Sequence, residues 1–118
     1  MTPATVDLTI YQGATFSRTF QWKTGTPAVA VNLTGYTARM QIRRKITDTD
    51  VVLSLTTSNG GITITNAAQG TFQIDITATQ TEALTIKAGV YDLEMVSGAV
   101  VTRLLQGAIS VSPEVTRP

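Results

Sequence analysis

The amino-acid sequence predicts an all-β sandwich, and three observations support this prediction. Apolar and polar residues alternate in short runs along almost the whole chain, which is the period of a strand with one buried face. Glycine, asparagine, aspartate and proline separate these runs at close spacing. Near the end, two alternating runs flank Ser97-Gly98, which is typical of a hairpin. We therefore expect seven or eight short antiparallel strands in two packed layers.

The first half of the chain predicts three main strands. Residues 8–10 form a short first strand, and residues 15–22 form a second with its aromatic side chains on one face. Residues 23–36 contain two glycines, a proline and an asparagine, so they are predicted to be a connection with a short extended piece. Residues 37–43 alternate again, with the apolar side chains inward and the arginines outward.

The second half continues the pattern with one interruption. Strands are predicted near residues 51–55, 62–64 and 72–76, followed by the final hairpin. Between the strand near residues 72–76 and the hairpin, Thr79 and Glu82 have the spacing of a capping box. In this motif the Thr side chain caps the start of a helix and the Glu side chain bonds to the Thr backbone amide. We expect a single helical turn from Thr79 to about Leu84.

Tyr91 follows this helical turn, near the start of a strand. In immunoglobulin-like sandwiches a tyrosine at this corner donates its hydroxyl to the backbone upstream, two residues before a buried strand position. Leu93 would occupy that buried position here. The position of Tyr91 favours an immunoglobulin-like sandwich, with an ordinary half-buried strand tyrosine as the alternative.

Length and composition limit the class of protein. The 118 residues predict a single domain over 1–118, with short flexible arms at 1–5 and 113–118. No apolar run approaches the ~20 residues needed to span a bilayer, and the first residues lack the features of a signal peptide. The absence of cysteine suggests synthesis in a cytoplasm. A net charge of +1 argues against a nucleic-acid binder and is compatible with a subunit of an assembly.

The sequence offers little for catalysis. Without histidine or cysteine the chain lacks the usual nucleophile systems and zinc ligand sets. Asp48 and Asp50 lie in a polar turn, whereas Asp92 and Glu94 share the polar face of one strand without any other cleft feature. We predict that the protein is not an enzyme and that it has no metal and no cofactor.

Two arginines lie in phase with apolar residues. Arg18 shares the phase of the aromatic strand, and Arg103 shares the phase of Val101 and Leu105. Each arginine is expected to pair across strands, with Asp92 or Glu94 as possible partners, or to extend its charged end into water. The alternative is that it belongs to an interface, where arginine is enriched.

The remaining local basic cluster, residues 39–45, is too small for a nucleic-acid channel and is more typical of a solvated sheet edge. Aromatic side chains argue against a sugar-binding platform, because most lie on inward phases and only Tyr11 and Tyr36 lie near turns.

The chain resembles small virion proteins of tailed bacteriophages, and most of all the immunoglobulin-like N-terminal domain of the phage baseplate upper protein family. The resemblance extends over nearly the whole chain and is carried by residues 8–16, 32–43, 61–64, 89–94, 101–107 and 113–117. These include Gln-Gly-Ala-Thr-Phe, Leu-Thr-Gly-Tyr and Gly-Val-Tyr-Asp-Leu. The resemblance implies a β-sandwich and a virion component, and it implies no catalytic residues.

The expected function is therefore structural: an immunoglobulin-like module that makes protein–protein contacts in the tail, neck or baseplate. Its partners would be other virion proteins and further copies of itself, in a particle assembled in the bacterial cytoplasm. Longer family members continue into a coiled-coil or receptor-binding portion, so a chain ending at Pro118 favours a connector or accessory piece. The alternatives are a capsid decoration protein and a carbohydrate-binding module. The candidate interface residues are Arg18, Arg39, Arg43, Arg103, Tyr36 and Arg117.

Overall fold

The computed structural model describes residues 2–116, and eleven strands of this part of the chain form three sheets. The strands are β1 (Ala4–Thr5), β2 (Leu8–Tyr11), β3 (Phe16–Gln21), β4 (Lys23–Thr24), β5 (Val29–Ala30), β6 (Thr37–Arg43), β7 (Leu53–Thr56), β8 (Ile62–Asn66), β9 (Thr71–Ile76), β10 (Ala88–Ser97) and β11 (Val100–Ser112). A 3-10 turn (Ala67–Gln69) and the helix α1 (Ala78–Glu82) complete the described elements. Eight of these strands have four or more residues, which matches the expected seven or eight.

The strands form an all-β sandwich, which confirms the predicted fold class. The larger sheet has the order β1-β11-β10-β6-β7, with β2 also paired to β11, and the smaller sheet has the order β3-β9-β8. β4 and β5 form a separate ribbon. The prediction of antiparallel strands holds for the hairpins but not for β1 and β2, which run parallel to β11. A short turn would force neighbouring strands to run antiparallel, but no short turn joins β1 or β2 to β11. The N-terminal segment reaches the last strand from the other end of the chain, so a parallel pairing is possible.

The core lies between the two sheets and contains the side chains that the alternation predicts to face inward. On β6 and β10 every second residue is buried, including Met40 and Leu93, and both pack in one cluster with Phe72 of β9. This single cluster also includes Trp22 and Leu84 from outside the long strands. Because the cluster draws on both sheets, it holds the long strands of the larger sheet in fixed register.

A bulge in the final hairpin corrects the predicted phase of Arg103. Leu93 pairs with Leu105, but the next residue, Glu94, pairs with Arg103, so Leu104 is the extra residue of a β-bulge. Leu104 and Leu105 are both buried. Arg103 therefore lies opposite Glu94 on the outer face of the sheet, and not on the apolar face with Leu105 as the alternation predicted.

The helical turn forms, but its cap differs from the predicted one. Thr77 is the N-cap, and its side chain accepts a hydrogen bond from the Gln80 amide while the Gln80 side chain accepts one from the Thr77 amide. The predicted pair, Thr79 and Glu82, lies inside the helix. Starting at Ala78 turns Thr81 inward, where its fully buried hydroxyl donates to the Ala14 carbonyl at 2.9 Å. This contact ties α1 to the turn between β2 and β3.

The N-terminal segment is held by the last strand. Tyr91 donates its hydroxyl to the Val6 carbonyl, and the Val6 amide donates to Gln106 at 2.9 Å. Gly107 makes this approach possible, because a Cβ there would collide with the Val6 carbonyl. Tyr91 therefore bonds to the upstream backbone, but its acceptor lies 85 residues away and not the few residues upstream of an immunoglobulin tyrosine corner.

Parts of both predicted arms are tied to the sandwich. Residues 4–5, expected in a flexible arm, form β1 and pair with Leu105 and Gln106. At the other end, the Glu114 amide donates to the Gln12 side chain at 3.0 Å. The prediction of flexible arms is wrong at these positions, because residues 4–5 pair with β11 and Glu114 bonds to Gln12. Both partners are distant in the chain, so no local pattern reveals them.

Replacing Tyr91 with phenylalanine is expected to lower the free energy of unfolding by about 1–3 kcal/mol, because the Val6 carbonyl loses its partner beside a buried ring. Equilibrium unfolding in urea, followed by the fluorescence of the single tryptophan, Trp22, measures the change. Tyr11→Phe is the matched control, since the Tyr11 side chain is exposed. An equal effect of the two substitutions would contradict a structural role for the Tyr91 hydroxyl.

The same hydroxyl predicts a dependence on alkaline pH. Burial raises the pKa of Tyr91 from 10.0 to about 12, while Arg18 lowers it and Asp7 raises it. A raised folded-state pKa means that the neutral phenol contributes its full stability below pH 10.0, and that this contribution is lost as the pH rises towards about 12. Urea unfolding followed by circular dichroism across this window should show a steeper loss for the wild-type protein than for Tyr91→Phe. Parallel curves would contradict the assignment.

Candidate interaction surface

The larger sheet exposes one broad face, on the side opposite the core. Its side chains are those that alternate with the buried residues of the three longest strands. We call this surface the outer face, and it consists of Thr37, Arg39, Gln41 and Arg43 on β6, Val90, Asp92, Glu94 and Val96 on β10, and Val101, Arg103, Gln106 and Ala108 on β11.

Charged side chains occupy the middle of the outer face. Glu94 of β10 lies level with Arg39 on one side and Arg103 on the other. The Arg39 Nε lies 2.8 Å from the Glu94 Oε1, and the Arg103 Nε lies 3.6 Å from the Asp92 Oδ2. Exposed ion pairs of this kind contribute only about 0–1 kcal/mol to stability. These groups therefore order the surface more than they stabilise the fold, and their outward sides stay open to another molecule.

Arg43 connects the outer face to the loop that follows β6. Its guanidinium donates to the Asp48 carbonyl at 2.7 Å and to the Gln41 side chain at 2.8 Å. Within this loop, Ile46 is 84% exposed at the end of the face. The predicted edge position of this basic cluster is wrong for Arg39 and Arg43, because β6 lies between β10 and β7 in the sheet.

The outer face is shallow and open. A depression of about 510 Å³ is lined by Arg43, Ile46, Asp92, Arg103 and other residues of the face. Smaller depressions continue from it towards Val101 at one end of the strands and towards Thr56 of β7 at the side. The shape fits a broad contact with another surface better than an enclosed small-molecule site.

The structure brings together half of the predicted interface residues. Arg39, Arg43 and Arg103 all lie on the outer face. Tyr36 lies away from it, with its ring edge-on to Trp22 at 5.8 Å, and Trp22 itself is only 8% exposed. Arg117 lies outside the described residues.

Arg18 lies on the other sheet. It is the inward residue between Phe16 and Phe20 on β3, which is an edge strand of the smaller sheet. Its guanidinium carbon lies 5.3 Å from the centre of the Phe20 ring, and the side chain reaches solvent. A charge pointing inward from an edge strand prevents another strand from adding to that edge. Arg18 therefore protects the edge of the smaller sheet.

Replacing Arg18 with valine is expected to promote association through β3, because it removes the inward charge and leaves a continuous apolar edge. Light scattering and thioflavin fluorescence during prolonged incubation measure the association. Arg18→Lys, which keeps the charge, is the control and should behave as wild type. Equal solubility of the valine and lysine variants would exclude this role.

The apolar ends of the outer face were not predicted from the sequence. Val96 and Val101 lie opposite each other at one end, and Val90 and Ala108 lie opposite each other at the other end. The alternation of β10 contained the signal for Val90 and Val96, since both share the phase of Asp92 and Glu94. The position of Val101 depends on the bulge, so alternation alone placed it on the wrong face.

The described residues contain no cluster that indicates metal chemistry. Residues 2–116 hold no group of three or more histidine, cysteine, aspartate or glutamate side chains placed to bind a metal ion. In the same range, neither helical element has the length and hydrophobicity required to cross a membrane. No known family model matches the sequence, and no curated protein does so either.

Proposed function

We propose that this chain is a structural protein of a tailed bacteriophage virion, an immunoglobulin-like module that makes protein–protein contacts in the tail, neck or baseplate. The observation that carries the contact role is the outer face: a broad, ordered surface with charges in its middle and aliphatic side chains at its ends. The location in a virion is supported by the resemblance described above.

The outer face is suited to a fixed contact with another protein. Its strands are held from behind by buried side chains such as Met40 and Leu93, each at most 1% exposed. Little side-chain or backbone order has to be gained on binding, which reduces the entropic cost of association. Arginine is also enriched at protein interfaces, and three arginines lie on this face.

The resemblance to phage proteins is carried by residues with structural roles in this fold. Residues 8–16 contain β2 and the Gln12-Gly13 turn, where the Gln12 side chain donates to the Leu84 carbonyl at 3.0 Å. Residues 89–94 contain Tyr91, which holds the N-terminal segment. The resemblance therefore rests on residues that build the fold and supports a shared fold with the phage proteins.

The burial of Trp22 weighs against the carbohydrate-binding alternative. A sugar platform needs a flat group of exposed aromatic rings, whereas Trp22 is 8% exposed and covered by Tyr36, and Tyr11 is the one largely exposed aromatic residue among residues 2–116. A capsid decoration protein would use a broad contact surface in the same way as a tail component, so copy number separates these two roles.

Quantitative mass spectrometry of purified virions, with the major capsid protein as internal standard, tests the proposal. Tail, neck or baseplate components follow the symmetry of the tail, so we expect about six or twelve copies per particle. Hundreds of copies would instead identify a capsid decoration protein. Absence from virions would reject the proposed function altogether.

A further inference from the structure

We propose that the outer face binds the outer face of a second copy of this chain, in a twofold-symmetric dimer. The twofold axis would run parallel to the strands, between β10 and β11. This inference deepens the proposed function, because it names the occupant of the surface that the proposed function uses.

The order of charges across the face favours this dimer. β10 carries the acidic residues Asp92 and Glu94, and the neighbouring strand β11 carries Arg103. An axis between these two strands places β10 of one copy over β11 of the other, and the reverse. The acidic strand of each copy then meets the basic strand of its partner, so a single contact is made twice by symmetry.

The register of the hairpin also favours this dimer. A twofold axis parallel to the strands keeps each residue at its own level, so residues that are cross-strand partners within one copy face each other between copies. Glu94 would face Arg103 of the second copy, and Asp92 would face Gln106. The bulge at Leu104 is what brings Arg103 to the level of Glu94.

The apolar ends also match themselves under this symmetry. Val96 would face Val101 of the second copy, and Val90 would face Ala108. Val101 is 47% exposed, so its burial would remove apolar surface from water. The same axis thus pairs opposite charges in the middle and aliphatic side chains at both ends.

The size of the face predicts a weak dimer. With strands about 4.8 Å apart and a rise of about 3.3 Å per residue, the three strands of the outer face, each over about seven residues, cover about 14 by 23 Å. This footprint is below the ~800 Å² per partner of a standard stable interface. We therefore expect a monomer at low concentration and a reversible dimer at micromolar or higher concentration.

Two charge-exchanged variants test the arrangement. The double variant R39E/E94R exchanges the charges of the internal 2.8 Å ion pair, but E94R places a positive charge opposite Arg103, both within each copy and between the two copies. The quadruple variant R39E/D92R/E94R/R103E exchanges both internal ion pairs and restores the opposite charges between copies. The matched control E82K/K87E exchanges two exposed charges at α1 and the following loop, away from the outer face.

Sedimentation velocity over a concentration series is the measurement. The wild-type protein, the quadruple variant and the control should all dimerise, whereas the double variant should bind itself at least about tenfold more weakly. Mixtures of wild-type protein and quadruple variant, with one of them labelled, should form few mixed dimers. Circular dichroism shows that each variant has folded.

Several outcomes would overturn the proposal. A wild-type protein that is monomeric at millimolar concentration would exclude the dimer. A double variant that dimerises as wild type would exclude this axis, because it would mean that Glu94 of one copy does not face Arg103 of the other. Free mixing of the quadruple variant with wild type would exclude charge pairing as the contact. All of these results concern isolated protein, so they are independent of whether the chain is found in virions.

Discussion

Replacing Phe72 with alanine is expected to lower the free energy of unfolding by about 3–5 kcal/mol. Phe72 is fully buried in β9, the central strand of the smaller sheet, and its ring stacks on Phe20 with 5.6 Å between centroids. Removing the ring loses its transfer free energy and leaves a cavity that the stiff sheets cannot close. Domains of this size are stable by only about 5–15 kcal/mol, so the variant should be partly unfolded at elevated temperature.

Urea unfolding followed by Trp22 fluorescence measures this loss. Val29→Ala is the control, because Val29 is 64% exposed and its truncation should change stability by less than about 0.5 kcal/mol. If Phe72→Ala lowers the free energy of unfolding by no more than Val29→Ala does, the buried position of Phe72 between the two sheets is contradicted.

Replacing Gly70 with alanine is expected to lower the free energy of unfolding by about 2–4 kcal/mol. Gly70 has φ +67°, a left-handed conformation that disfavours side chains, and an added Cβ would lie 2.6 Å from the Trp22 carbonyl and 2.7 Å from the Val31 carbonyl. Both contacts are with backbone that is itself hydrogen-bonded, since the Trp22 carbonyl accepts from the Val31 amide at 3.0 Å. Neither backbone segment can move away without losing that bond.

Gly35→Ala separates the two causes. Gly35 has φ +82°, but an added Cβ would meet no atom within 4 Å. It should therefore show the conformational penalty alone, about 1–2 kcal/mol. Both variants are compared by urea unfolding, and the difference between them measures the collision at Gly70. If both variants lower the free energy of unfolding equally, the backbone around Trp22 and Val31 can shift to accommodate the added Cβ at little energetic cost.

The candidate surface was partly predictable from the sequence. The alternation in residues 37–43 indicates that Arg39 and Arg43 point outward, and the same pattern places Asp92 and Glu94 together on β10. Side chains on one strand face must alternate with buried ones, so these assignments follow from local periodicity. The prediction that Arg103 pairs with Asp92 or Glu94 is confirmed by its contact with Asp92.

Other features could not be predicted, because they depend on residues distant in the chain. The alternation of inward and outward side chains on β11 shifts by one residue at Leu104, which moves Arg103 to the outer face. No residue type at this position indicates a bulge. The helix begins at Ala78, where Thr77 and Gln80 form a capping box of the same spacing as the predicted pair, and this start lets Thr81 bond to the Ala14 carbonyl 67 residues away. The pairs Thr77/Gln80 and Thr79/Glu82 both fit the capping-box pattern, and the long-range bond of Thr81 is what the local pattern could not reveal.

The sequence by itself determined the class of the fold, the inward and outward faces of the uninterrupted strands, and the turns between them. These are properties of neighbours in the chain, and steric alternation together with the exclusion of apolar groups from water is sufficient to set them. The tertiary structure alone decided which strands lie side by side, that β1 and β2 run parallel to β11, and that Arg39, Glu94 and Arg103 share one level of one face. Strand order and register depend on long-range pairing and on the packing of both sheets around one core, which no local pattern contains.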